Sequence, residues 1–176
     1  MDISKKWGLR NLWGQIQWKP LAVSLGISLG VEALSGLLTS GSMDIYEKIY
    51  KPPLAPPGWI FPVVWTVLFI LMGISAYLVY VKAKQNSGLW QQARSAFFWY
   101  AAQLVVNMGW SLIFFVLHAY LLAFAWLLLL WYLVFVTACK FYKISPLAGK
   151  LLIPYLVWLT FAAYLNLAIA VHYTAF

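Results

Sequence analysis

The sequence contains very few charged residues. Only 9% of its 176 residues are Asp, Glu, Lys or Arg, and just 4 of these are acidic, whereas 64% of the chain is hydrophobic. A soluble domain carries about 25% charged residues, so a water-facing surface of this chain would expose very large apolar patches. This composition excludes a soluble fold of this size and predicts an all-α membrane protein surrounded by lipid.

Chemically reactive residues are also scarce. The single cysteine, Cys139, excludes an intrachain disulfide framework and a cysteine-rich metal site. The sequence offers no Ser/His/Asp set, no paired carboxylates and no phosphate-binding loop, which excludes conventional hydrolytic and phosphoryl-transfer machinery. The two histidines, His118 and His172, are predicted on the same side of the membrane. They either share a metal or haem site or each meet water at a helix end, and we predict no metal.

Five apolar segments are long enough to cross a bilayer as helices, which takes about 20 residues each. They cover about residues 21–38, 59–81, 97–117, 121–141 and 151–173. The third and fourth form one apolar run from Phe97 to Cys139, which as a single helix would be about twice the hydrocarbon thickness. We therefore place a turn at His118 to Tyr120. The sequence predicts a five-helix bundle in which residues 1–176 form one membrane domain and residues 1–20 an interfacial segment.

The formal net charge of +8 lies between the apolar runs rather than on one face of a folded domain. It therefore indicates membrane topology and not a nucleic-acid partner. Ten basic residues fall on the side of the N-terminus, and only Lys48 and Lys51 fall on the other. The positive-inside rule then predicts a multi-pass protein of the cell membrane with a cytoplasmic N-terminus and an external C-terminus.

A polar stripe runs along the third predicted helix, where Gln103, Asn107 and Ser111 recur every four residues. Amides that face lipid would lack hydrogen-bond partners, so this stripe is expected to face the bundle interior. In the second helix, Thr66 can return its hydroxyl to a backbone carbonyl. The third helix therefore predicts a partly polar interior.

Several tryptophans lie within the spans rather than at the membrane interface, where membrane tryptophans concentrate. An inner cluster of indoles suits a flat, apolar ligand, because ring faces stack on it and nearby amides orient it. Ordinary packing of core aromatics explains the same pattern, and the residues alone leave both interpretations open. The aromatic side chains concerned are Trp65, Phe69, Trp110 and Trp158.

The first helix has two unusual features. Ala22, Gly26 and Gly30 form a small face at four-residue spacing, which predicts either close packing inside the bundle or a dimer contact. Glu32 is the only acidic residue within any predicted span, where a carboxylate is costly and indicates a ligand or proton role. The alternative is that Glu32, which is close to the outer end, reaches water.

The segment before the second helix is rich in proline, with Pro52, Pro53, Pro56 and Pro57 in six positions. These residues stiffen the backbone and exclude a helix through the segment. The loop is either a rigid lid over a pocket or a stiff connector whose last two prolines start the second helix.

Three separated groups of residues resemble the motifs of the TspO/MBR family, the translocator proteins and tryptophan-rich sensory proteins. The resemblance covers about residues 46–170 and four of the five predicted helices. Its motifs are Lys51-Pro52 through Pro56-Pro57, Phe61, Pro62, Val64-Trp65-Thr66 and Met72-Gly73, then Gln103, Asn107, Trp110-Ser111 and Phe114-Phe115, and finally Leu152, Pro154-Tyr155, Trp158, Phe161-Ala162, Leu165-Asn166 and Ile169.

The resemblance implies a five-helix bundle, commonly dimeric, that binds porphyrins, and in many members sterols or synthetic isoquinoline ligands, below the first loop. It implies a homodimer in a lipid bilayer with porphyrin or haem as ligand and with no required cofactor. The residues that it places at the pocket are Tyr46, Pro53, Pro56, Pro57, Trp65, Phe69, Gln103, Asn107, Trp110, Trp158 and Ala162.

The leading hypothesis is therefore a tetrapyrrole-binding membrane protein that acts in sensing, transport or disposal. One alternative is light-dependent porphyrin degradation, in which the resemblance implicates Trp65 and Trp158 because an indole can exchange an electron with a photoexcited porphyrin. Another is a small-solute transporter with no tetrapyrrole role. The family usually has tryptophan where this chain has Ile45 and Leu54, so two loop indoles are missing here.

Overall fold

The computed structural model of the chain describes residues 16–42, 46 and 48–174. Within these residues there are 5 spans long and apolar enough to cross a membrane, and the secondary structure consists of helices without any strand. The predicted all-α, five-span architecture is confirmed. Most of the interfacial segment predicted for residues 1–20 lies outside the described residues, and its last residues, from Trp18 onward, begin the first helix instead.

The helices are α1 Trp18–Thr39, α2 Ile60–Gln85, α3 Trp90–Ser111, α4 Tyr120–Ile144, α5 Pro146–Lys150 and α6 Ile153–Thr174. The short α5 and the long α6 together make the fifth span. All five spans are longer than predicted, most clearly α3, which begins at Trp90 rather than at residue 97. Its first turns contain polar residues such as Gln91 and Arg94. Their low hydropathy excluded them from the predicted span, although a helix end outside the hydrocarbon tolerates them.

The turn predicted between the third and fourth spans is confirmed at His118. The helix α3 first passes into a π-helical turn, Leu112–Val116, in which the Leu117 amide donates to the Leu112 carbonyl at 3.0 Å. His118 then adopts a left-handed backbone with a φ of 52°, and α4 begins at Tyr120. The backbone reversal thus takes only a few residues.

Small residues bring α1 close to α2. The Ser24 hydroxyl donates to the Gly73 carbonyl at 2.7 Å, and the Ser28 hydroxyl is hydrogen-bonded to the Tyr100 hydroxyl of α3 at 2.6 Å. A Cβ atom on Gly73 would lie 2.8 Å from Leu25 Cδ2 and 3.1 Å from Leu25 Cα. At this position the two helices therefore approach to a distance that only glycine allows.

The small face predicted on α1 points away from the bundle. Ala22, Gly26 and Gly30 are exposed, and a Cβ atom on either glycine would meet no atom within 4 Å. The interpretation as close packing inside the bundle is therefore wrong. The serine face of α1 packs instead, because its hydroxyls reach partners on α2 and α3. A dimer contact through the glycine face stays a prediction, as does the orientation of the termini.

The core lies between α2, α3, α4 and α6. Its largest fully buried side chains include Phe69, Phe141, Leu127 and Tyr155, one from each of the helices α2 and α6 and two from α4. The short α5 is held by Ser75, whose hydroxyl donates to the Ala148 carbonyl at 2.6 Å. This core leaves α1 at the edge of the bundle, with only 11% of its most apolar stretch buried.

We expect the Gly73→Ala substitution to lower the free energy of unfolding by about 1–3 kcal/mol, because the added methyl group overpacks against Leu25. Gly26→Ala on the exposed face is the matched control, and it should leave stability unchanged or raise it by up to about 1 kcal/mol. Thermal unfolding in detergent, followed by circular dichroism, measures both. Equal effects of the two substitutions would contradict the close approach of α1 and α2.

Candidate functional site

A cavity of about 580 Å³ lies between α1, α2 and α3. Its volume falls within the range of roughly 300–1,000 Å³ that is typical of small-molecule sites. The two inner helices supply aromatic walls, and α1 supplies small and polar residues. The lining consists of Glu32, Ala33, Ser35, Gly36, Thr39, Ser40, Phe61, Pro62, Trp65, Phe69, Asn107, Trp110, Ser111 and Phe115.

Two indoles and a phenyl ring form the inner wall. Trp65 and Phe69 are four residues apart on one face of α2, with ring centroids separated by 6.1 Å. Trp110 of α3 completes the group, its centroid 6.3 Å from that of Trp65. Ring faces in this arrangement favour a flat apolar molecule. The structure thus brings three of the sequence-predicted site residues to one cavity.

The Trp110 indole is fixed by hydrogen bonds to the last helix. Its Nε1 donates to Asn166 Oδ1 at 3.2 Å, and Asn166 Nδ2 donates to the Tyr120 carbonyl at 2.8 Å. In the π-helical turn that follows α3, the Phe114 ring stacks on Trp110 with a centroid separation of 5.3 Å. Three helices therefore determine where this wall of the cavity lies.

Asn107, a fourth predicted residue, also lines the cavity and is 3% exposed. Its Nδ2 donates to the Tyr155 hydroxyl at 2.5 Å, and the Tyr155 ring contacts Trp65 edge to face at 5.9 Å. Among the described residues, the Asn107 amide oxygen has no hydrogen-bond partner. A ligand with an N–H or O–H group can therefore bond to this oxygen.

Of the residues on the α1 wall, only Glu32 was singled out from the sequence, with a ligand role left open. Glu32, Gly36 and Ser40 lie four residues apart and share one helix face, and Ser35 and Thr39 flank it. The Thr66 hydroxyl donates to Glu32 Oε1 at 2.6 Å rather than to a backbone carbonyl. The four-residue spacing of small and polar residues, together with an acidic residue inside a span, is the sequence pattern that could have predicted this wall.

Seven predicted residues lie outside the cavity lining, three of them on α3 and α6 and four in or next to the proline-rich loop. Trp158 packs edge to face on Phe61 at 5.8 Å, and Phe61 thereby separates it from the cavity. Trp158 instead lines an apolar groove of about 560 Å³ between α2 and α6. Its Nε1 and the buried Gln103 Oε1 have no hydrogen-bond partner among the described residues. Ala162 is buried within α6.

The proline-rich loop lies beside the cavity and is fastened to the bundle. The Tyr46 hydroxyl donates to the Pro56 carbonyl at 2.9 Å, and its ring packs on Phe61 with centroids 4.9 Å apart. The Pro53 carbonyl accepts a bond from the Tyr164 hydroxyl at 3.0 Å. The Ile60 amide donates to the Pro57 carbonyl where α2 begins. These contacts favour the stiff connector, while a lid function stays a prediction.

The two histidines lie near the same end of the bundle. The His172 ring stacks on Tyr50 with centroids 4.1 Å apart, and His118 lies at the turn before α4, 6.4 Å from the Tyr120 ring. No group of three or more His, Cys, Asp and Glu side chains that could hold a metal occurs in the part of the chain that is described.

Five apolar spans, three of which line an aromatic cavity, define a multi-pass membrane protein. Residues 22–172 match the model of the TspO/MBR family. The chain is 36% identical over 154 residues to the Tryptophan-rich protein TspO of Chlorobaculum tepidum. This match covers 85% of this chain and 92% of that protein. It is 39% identical over 124 residues to Protein CrtK of Rhodobacter capsulatus, covering 70% and 75% of the two chains. It is also 35% identical over 150 residues to the Translocator protein of Homo sapiens, covering 85% and 87%. The chain belongs to the TspO/MBR family, and the resemblance is confirmed.

We expect Asn166→Leu to destabilise the protein by about 2 kcal/mol, because it leaves the buried Trp110 indole N–H without a partner. Gln92→Leu, at an exposed amide in the first turn of α3, is the matched control and should stay within about 0.5 kcal/mol of the unsubstituted protein. Thermal unfolding in detergent compares the two. Equal melting temperatures would show that Asn166 does not hold the Trp110 wall.

Proposed function

We propose that this membrane protein binds a tetrapyrrole of the porphyrin type in the cavity between α1, α2 and α3, and that it acts in tetrapyrrole sensing, transport or disposal. One observation supports this function above all others. The indoles of Trp65 and Trp110 lie on the walls of a single cavity of about 580 Å³, with Phe69 beside them.

The chemistry of the walls suits such a ligand. A porphyrin is flat and largely apolar, and it carries polar atoms at its centre and at its edge. The ring faces of Trp65 and Trp110 can stack on its surface, while the free oxygen of Asn107 accepts a hydrogen bond. Apolar burial supplies most of the affinity, and the few polar contacts fix the orientation of the ring.

The names of the relatives are consistent with a role in recognising or moving a small molecule. One relative, from Cereibacter sphaeroides, is called a Tryptophan-rich sensory protein, and several mammalian relatives are called Translocator protein. Sterols and synthetic isoquinolines are further candidate ligands. Light-dependent porphyrin degradation and small-solute transport stay predictions, since no contact among the described residues favours either. A homodimer is part of the proposal.

Filling the cavity should weaken binding. Gly36 lines the cavity, and a Cβ atom added to it would meet nothing within 4 Å, so Gly36→Leu puts a bulky side chain into the space without disturbing helix packing. We expect the dissociation constant for protoporphyrin, measured by the saturable quenching of tryptophan fluorescence, to rise by at least about tenfold. Gly26→Leu, on the same helix but outside the cavity, should bind as the unsubstituted protein does. Equal affinities of the two variants would place the ligand elsewhere.

Removing a stacking face should also weaken binding. Trp65→Ala is expected to raise the dissociation constant for protoporphyrin by about tenfold, because it removes one ring face from the cavity wall. Trp90→Ala, at an exposed indole at the far end of α3, is the control and should leave the constant unchanged. Absorbance titration of the porphyrin avoids dependence on the fluorescence of the tryptophan that is removed. An unchanged constant for Trp65→Ala would contradict the proposal.

A further inference from the structure

Positive charge collects at one end of the bundle, which we name the basic end. Lys82 and Lys84 lie in the last turn of α2, Arg94 near the start of α3 and Lys143 in the last turn of α4. Of the 4 acidic residues in the sequence, only Glu32 belongs to the part of the chain that the structure describes, and it lines the cavity instead. The described part of the basic end therefore contains no carboxylate that neutralises these cations.

Two contacts fix a further cation of this end, the Lys140 ammonium group, between α3 and α4. Its Nζ donates to Ser95 Oγ at 3.1 Å and lies 5.9 Å over the Trp99 ring. The Lys140 side chain is half-buried, whereas Lys82 and Lys143 are exposed. A lysine that is already held in one position loses less conformational freedom when it binds an anion.

These contacts leave hydrogen-bonding capacity on both polar groups. An ammonium group has more N–H donors than the single acceptor Ser95 uses. The Ser95 oxygen accepts the bond from Lys140, and its own O–H has no acceptor among the described residues. An ammonium group and a hydroxyl that both donate to the same point favour an anionic oxygen, such as that of a phosphate.

Aromatic side chains continue the α3–α4 seam from Lys140 towards the middle of the membrane. Trp99 is one turn beyond Ser95 on α3, and its ring contacts Tyr132 of α4 with centroids 6.5 Å apart. Phe98 packs edge to face on Trp99 at 6.2 Å and is 69% exposed. Indole and phenol rings are typical of the level of the lipid headgroups and ester groups. The order along the seam, first a cation and then exposed rings, thus matches the order of phosphate and acyl chain in one lipid.

We propose that the seam between α3 and α4 binds one anionic phospholipid of the surrounding bilayer. Lys140 Nζ and the Ser95 hydroxyl donate to its phosphate, and an acyl chain lies along Trp99, Phe98 and Tyr132. A zwitterionic lipid fits less well, because its own ammonium group neutralises the phosphate and is repelled by the cations of the basic end. None of these residues lines the cavity, so this site does not depend on the proposed function.

The test compares phosphatidylglycerol with phosphatidylcholine that carries the same acyl chains. Native mass spectrometry of the full-length protein, released from an uncharged detergent, gives the dissociation constant of the first bound lipid. We expect phosphatidylglycerol to bind about tenfold more tightly than phosphatidylcholine. Glycerol phosphate, which has the phosphate but no acyl chain, should leave the bound phosphatidylglycerol in place at equal free concentration. Its displacement by glycerol phosphate would show a site for free phosphate and would overturn the assignment to a lipid.

Substitutions locate the site. Lys140→Gln removes the fixed charge, and the two lipids should then bind within about twofold of each other. Lys140→Arg keeps the charge and should keep the preference. Ser95→Ala should reduce the preference several-fold, because the phosphate loses one donor and Lys140 loses the contact that positions it. Lys82→Gln is the matched control, since it removes the same charge from an exposed side chain of the same end, and it should keep the full preference.

Melting temperatures in the same detergent confirm that each variant is folded, as expected for substitutions at partly or fully exposed positions. A preference that is lost in Lys140→Gln and weakened in Ser95→Ala, but kept in Lys82→Gln, supports the site. If Lys140→Gln and Lys82→Gln lower the affinity for phosphatidylglycerol equally, the basic end attracts anionic lipids only through its total charge, and the inference is overturned. Equal binding of both lipids to the unsubstituted protein would overturn it as well.

Discussion

Inside a bilayer, a polar group without a partner in the protein has no water to bond with, and this constraint determines how the helices of the bundle face one another. Ser24 and Ser28 of α1 have hydroxyls that need hydrogen-bond partners, and both find one on a neighbouring helix, α2 or α3. Asn107 finds Tyr155, and Trp110 finds Asn166. The cavity is bounded by helices that these bonds hold in place.

Much of the fold follows from hydropathy. Five spans and the reversal at His118 could be predicted, because the thickness of a bilayer limits how long an apolar run can remain one helix. The helix ends could not be predicted, because hydropathy does not distinguish the polar helical turns beyond the hydrocarbon from loops. The sequence also left open which face of α1 packs against the bundle. Glycines at four-residue spacing suggest an interface, but Gly26 and Gly30 have no group that needs a partner, whereas the serines of the same helix do.

Part of the candidate site could be predicted because its residues repeat at helical spacing. Trp65, Phe69, Asn107 and Trp110 share the faces that the sequence assigned to the interior, and the structure brings them to one cavity. Trp158 carries the same pattern but lies behind the Phe61 ring. An inward-facing indole reaches a cavity only if no side chain of another helix lies between the indole and the cavity. The spacing of residues within one helix contains no information about that side chain.

The π-helical turn at Leu112–Val116 affects how this chain is compared with its relatives. Such a turn closes its hydrogen bond over one residue more than an α-helical turn does, so it accommodates an inserted residue without rotating the helix on either side. A relative with a regular helix here would align only with a gap of one position. Phe115, which lines the cavity from this turn, would then align with a neighbouring position of that relative. An alignment without the gap would therefore pair Phe115 with the wrong residue.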